Sequence, residues 1–71
     1  MNRKETFVSD ILSAMLITQI KHEQTNANTY GIISNYFGSI GLESCHKWFY
    51  HQTEEELSHA KKIIDFCTNA G

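Results

Sequence analysis

Nothing in this sequence interrupts a helix except at one short place. Of its 71 residues none is proline, so no position carries the ring that breaks a helix interior. The one strong punctuation cluster is Phe37-Gly38-Ser39-Ile40-Gly41, where two glycines flank a short turn. A second stop stands at Asn69-Ala70-Gly71, with the glycine that favours a helix C-terminus. Ser9 is suited to cap a helix start, and Asp10 to the first turn after it. The pattern predicts an all-α chain with an unstructured start and two helices, over about 9–37 and about 42–69. Each helix would run for about 28 residues, or roughly 42 Å.

Periodicity predicts how the helices face each other. Steps of three and four along the second helix pick out Leu42, Cys45, Phe49, Gln52, Glu56, His59, Ile63 and Phe66. The same steps along the first give Leu12, Leu16, Gln19, Glu23, Asn26, Tyr30, Ile33 and Phe37. Both seams are apolar at the ends and polar in the middle. Cys45 is expected there as a small buried apolar residue. Two long helices joined by a short turn pack antiparallel, so residues 1–71 are read as a single helical hairpin. Residues whose numbers add to about 79 then lie level across it. Glu23 is level with Glu56, and His59 is one turn along.

Composition excludes several classes of function. Six Lys and Arg against eight Asp and Glu leave a net charge of −2, with the basic residues scattered, so no nucleic-acid footprint is expected. No apolar run approaches the ~18 residues of a membrane span. The most apolar stretch, Phe7 to Ile20, is broken by Ser9, Asp10, Ser13, Thr18 and Gln19 and reads as a buried amphipathic helix rather than a secretory signal. Cys45 and Cys67 on one helix would stand about 33 Å apart, too far for a disulfide. A reducing cytoplasm is the expected location. So small a chain hides only about 60% of the surface its unfolded form exposes, and one partner helix cannot cover both seams. A homo-oligomer is therefore expected.

The middle of the interface carries the chemistry. Two carboxylates and an imidazole converge among apolar residues, and buried unpaired charge is costly; a metal ion would offset it. Glu56-Leu57-Ser58-His59 is an E-x-x-H sequence, whose i, i+3 spacing puts both ligands on one helix face. Helical di-iron proteins combine that motif with a Glu from a neighbouring helix. Oxygen ligands with few imidazoles suit iron or manganese. A metal-free polar layer that fixes helix register is the competing reading. Glu54 and Glu55 also read as solvated charges, with His51 pairing Glu55. His22 and His46 read as exposed or internally satisfied, and Tyr30 also fits a core tyrosine.

The second half resembles a known helix. Trp48-Phe49, then Gln52, the run Glu54-Glu55-Glu56, and Glu56-Leu57-Ser58-His59-Ala60 are similar to the second helix of ferritins. Gln19-Ile20 before Glu23, with Tyr30 seven residues on, resembles the first ferritin helix. The 33-residue spacing from Glu23 to Glu56 matches the bacterial type with its short turn. The resemblance spans about residues 9–71 and is strongest in the second helix. It implies half of a ferritin-like four-helix bundle that binds Fe(II), oxidises it with O₂ and stores it as Fe(III) mineral. It further implies Glu23 as terminal ligand to one iron and Glu56 as the carboxylate bridging two. His59 would be the nitrogen ligand on the same iron as Glu23. Tyr30 would be the tyrosine hydrogen-bonded near the site, and Glu55 a carboxylate near an accessory iron. The implied partners are iron, O₂ and further copies, as a dimer of hairpins or a ferritin-type cage.

Two departures bear on assembly. Gln24-Thr25-Asn26-Ala27-Asn28-Thr29 is polar where ferritins have a more apolar, aromatic-containing segment. The third and fourth ferritin helices, with their carboxylates, have no counterpart. The sequence reads either as the amino-terminal part of a longer ferritin or as a natural half-bundle. In the second case a two-fold pair supplies Glu23, Glu56 and His59 twice, which is the helical di-iron set. A rubrerythrin-like peroxidase, another di-metal carboxylate protein, is the alternative enzyme. A metal-free helical oligomerisation module, or an inactive ferritin fragment, is the alternative of another class.

Overall fold

In the computed structural model the backbone is described over residues 3–70 and the side chains over residues 9–69. Two helices make up the chain, α1 over Arg3–Ser39 and α2 over Glu43–Ala70. They pack antiparallel as an all-α hairpin of 59 × 17 × 10 Å, with no strand among the described residues. None of their segments is long and apolar enough to cross a membrane.

The first helix begins earlier than its sequence signals indicate. It starts at Arg3, not near residue 9, and Ser9 lies in its interior. The expected unstructured start and the Ser9 cap are thus corrected. The run Arg-Lys-Glu-Thr-Phe-Val before Ser9 contains no breaker, and an interior serine costs only a few tenths of a kcal/mol. The helix ends two residues later than expected, while α2 is displaced by a single residue. Gly71 lies outside the described residues.

The turn is built from backbone hydrogen bonds. Leu42 N–H donates to the Phe37 carbonyl at 3.0 Å, and Gly41 N–H to the Gly38 carbonyl at 3.2 Å. This is the paired 6→1 and 5→2 closure of a Schellman motif. Gly41 adopts φ +78°, a left-handed conformation that costs a residue with a Cβ roughly 1–2 kcal/mol. The Leu42 carbonyl accepts the His46 N–H at 3.0 Å and so opens α2. Glu43, in the first turn of α2, faces the positive end of the helix dipole.

Next to the turn the helices are clasped by side chains. Ser34 is buried, and its Oγ–H donates to the His46 carbonyl at 2.9 Å. His46 Nδ1 lies 2.9 Å from the Ser34 carbonyl and 2.9 Å from Ser34 Oγ. A carbonyl can only accept, so Nδ1 carries the proton. A Cβ at Gly38 would come within 3.1 Å of His46 Nδ1, so the glycine leaves room for the ring. Phe37 stacks on Phe49 with centroids 5.6 Å apart, Tyr30 lies 6.1 Å from Phe49, and Trp48 meets Phe49 edge-on at 4.9 Å.

Little else is buried. Ala27 and Ala60 are the buried apolar residues among the described ones. Leu16, Ile33, Phe37, Phe49 and Ile63 are half-buried. Leu12, Leu42 and Phe66 remain exposed, and so does Cys45, which was expected to be buried. Within the apolar stretch before Lys21, Ile11, Met15 and Ile17 also face solvent. One partner helix shields a line of contact, whereas each seam is an apolar stripe upward of 100° wide.

Candidate metal centre

The two alanines bracket the polar middle of the hairpin. Ala27 follows Glu23 by one helical turn on α1, and Ala60 follows Glu56 by one turn on α2. Their small side chains let the helices approach closely on either side of the carboxylates. Glu23 and Glu56 are thereby largely enclosed, with side chains 14% and 17% exposed, while the His59 ring is half-open to solvent.

Glu23, Glu56 and His59 each point one ligand atom into a common space, all within 4.8 Å of one another. His59 Nδ1 lies 3.4 Å from Glu23 Oε2 and 3.9 Å from Glu56 Oε2. Gln19 Nε2 donates to Glu23 Oε1 at 2.8 Å and holds that carboxylate from the preceding turn. Glu56 Oε2 is shielded from solvent and accepts no hydrogen bond.

The electrostatics follow from this crowding. The hydrogen bond between the two carboxyls, helped by Gln19, pulls Glu23 below the usual carboxylate range. The same hydrogen bond, with burial, pushes Glu56 above it. Two acids at this distance compete for a proton, and Glu56 is the one that holds it more tightly. A cation placed between them would replace that proton and give Glu56 Oε2 a partner. The donor set of two carboxylates and one imidazole fits iron or manganese, and the orphaned oxygen is where an ion would be held.

A pH dependence follows. Ligands bind metal deprotonated, so binding displaces the Glu56 proton. Affinity for Mn(II) should fall as pH is lowered through the raised Glu56 range, and binding within that range should release protons to the buffer. Calorimetry in buffers of different ionisation enthalpy checks this. Binding that stays unchanged as pH is lowered through the carboxylate range would mean that Glu56 is not a ligand.

The other predicted residues lie outside the cluster. Glu55 points away, and its Oε1 pairs with His51 Nε2 at 3.1 Å on the surface. Tyr30 is half-buried against Phe49; among the described residues its hydroxyl makes no hydrogen bond to the cluster. His22 is exposed. The sequence reading missed the role of Gln19, although its i, i+4 spacing to Glu23 was visible. It also missed the contact between Ser34 and His46, which the level rule places side by side.

No curated protein and no solved structure shows a significant match to the chain. The family model for the ferritin-like domain matches residues 13–71, a span that contains α2 and all of the cluster. With its helical hairpin and its paired carboxylates, the chain belongs to the ferritin-like domain family.

Proposed function

We propose that Glu23, Glu56 and His59 bind iron, and that the protein oxidises Fe(II) with O₂ and retains the Fe(III) formed. The observation that carries this reading is Glu56 Oε2, buried without a donor beside a second carboxylate and an imidazole. Iron here is the substrate. Two Fe(II) give up one electron each, and O₂ takes both electrons with two protons from water and leaves as H₂O₂. The residues supply binding and charge: anionic oxygen donors favour the harder Fe(III) over Fe(II), which biases the reaction toward product. Gln19 keeps the Glu23 carboxylate aimed at the site. In this proposal Glu56 is the carboxylate shared by two ions, Tyr30 supports the site from the aromatic cluster, and Glu55 serves an accessory ion after leaving His51. A reducing cytoplasm, which keeps iron as Fe(II) and Cys45 and Cys67 as free thiols, is the setting.

The test is aerobic Fe(II) addition followed by absorbance. The wild-type chain should oxidise Fe(II) well above the buffer rate. Glu56→Ala and His59→Ala should fall to less than a tenth of that excess, with helical circular dichroism unchanged. Wild-type rates equal to buffer would overturn the ferroxidase reading.

A further inference from the structure

One hairpin holds half of a di-metal site. It presents one Glu, from α1, and one E-x-x-H pair, from α2. The helical di-iron arrangement needs one Glu from each of two helices and one E-x-x-H from each of two others. An identical hairpin carries the same one Glu and one E-x-x-H pair, the complement this arrangement calls for.

The surface beside the cluster is built to be covered. At 100° per residue, Leu12, Met15, Ile33, Trp48 and Phe66 lie on the same flank of the hairpin as His59. Met15 is 63% exposed, Trp48 57% and Phe66 61%. Between Ser9 and Asn69, the charged residues that helical spacing puts on this flank besides Glu23 and Glu56 are Glu55, about 20° from Phe66, and Lys62 at its outer edge. Its other polar members are amides such as Gln19, Asn26 and Gln52, which can be buried once hydrogen-bonded. The opposite flank is a shallow groove lined by Gln24, Asn28, Asn35 and Thr53 together with the exposed Ile32 and Leu57; the half-open His59 ring is what sets the first flank apart.

The missing area has the size of an obligate interface. A folded monomer of 8.2 kDa exposes about 4,500 Å². This chain exposes 5613 Å², an excess of roughly 1,100 Å², or roughly 2,200 Å² for a pair. Obligate homodimers bury about 2,000 Å² or more in total.

We propose that a second copy of this chain packs on the Leu12–Met15–Phe66 flank and completes the metal site in trans. Glu23, Glu56 and His59 then enter the site from both copies. The inference rests on the metal reading above and assigns that site its partner. Metal binding and association are consequently one event, with two ions for every two chains.

The experiment is native mass spectrometry of the 71-residue chain with Mn(II), run beside Phe66→Glu. Phe66 is off the ligand set and already exposed, so its replacement takes little packing from the single hairpin. The expected result is a species of two chains holding two Mn(II). Phe66→Glu should remain a helical single chain and bind Mn(II) at least tenfold more weakly. Wild-type Mn(II) held by one chain would overturn completion in trans while leaving the metal reading intact. So would Phe66→Glu that stays single and binds as tightly as wild type. No Mn(II) bound in any assembly would overturn the metal reading itself, and this inference with it. If Phe66→Glu does not fold, the mass and metal count of the wild-type species decide.

Discussion

Fe(II) added without oxygen should raise the melting temperature of the wild-type chain by about 10–20 °C and leave Glu56→Ala almost unmoved. A ligand that binds only the folded state, at a hundredfold excess over Kd, adds about 2.7 kcal/mol. In a domain of this size each kcal/mol moves the midpoint by about 4–8 °C. The variant loses the oxygen that has no donor in the metal-free protein, so it forfeits the gain. Without metal its sign reverses. Glu56 sits beside Glu23 with its pKa raised by that neighbour and by burial, so at neutral pH its ionisation opposes folding. The sign follows from linkage: a carboxyl that holds its proton more tightly when folded favours the folded state below its unfolded pKa, and this advantage is lost as pH rises through the folded value. Metal-free Glu56→Ala should therefore melt at or above the wild type at pH 7. Paired thermal melts with and without metal measure both effects. A wild type that ignores metal would make Glu23, Glu56 and His59 a structural polar layer.

Ala60→Leu should lower the melting temperature by about 5–20 °C and weaken Mn(II) binding at the same time. Ala60 is 3% exposed, one turn beyond Glu56 in the contact between the helices. Forcing extra methylenes into a packed contact costs typically 1–3 kcal/mol. The larger side chain also pushes α1 away from α2 at the level where Glu23 must meet Glu56. The comparison is Leu57→Ala, a change on the exposed side of the same helix, which should leave Mn(II) affinity near wild type. If Ala60→Leu melts lower but binds Mn(II) normally, the alanine sets stability without setting the carboxylate gap.

The cluster was legible because a hairpin with a short turn has only one register. Once Gly38 and Gly41 mark the turn, Glu23 and Glu56 must lie level, and the i, i+3 rule brings His59 to them. The helix start was not legible: residues 3–8 carry neither a breaker nor a strong cap, so Ser9 gave a false boundary. Exposure misled for another reason. Leu12, Cys45 and Phe66 follow the seam periodicity, but a single partner helix shields only a line of contact and not the whole stripe. The Ser34 and His46 contact was hidden because a buried serine leaves no apolar trace in the pattern; only its level opposite His46 marks it. Glu55 shows the remaining gap, since adjacent glutamates differ by 100° on the helix and only one can face the partner.

The clasp at Ser34 and His46 makes the hairpin behave as a pair of tweezers hinged at one end. Glu23 lies 11 residues from Ser34, about 16 Å along the helix. A splay of about 5° at the hinge would therefore open the gap between Glu23 and Glu56 by about 1.4 Å. That is enough to decide whether one ion can touch both carboxylates. Nδ1 of His46 donates at this hinge, so the aperture is set by a contact between neutral backbone and side-chain groups of Ser34 and the imidazole. Selectivity for ion size would then be tuned at Gly38, Ser34 and His46, residues that touch no metal.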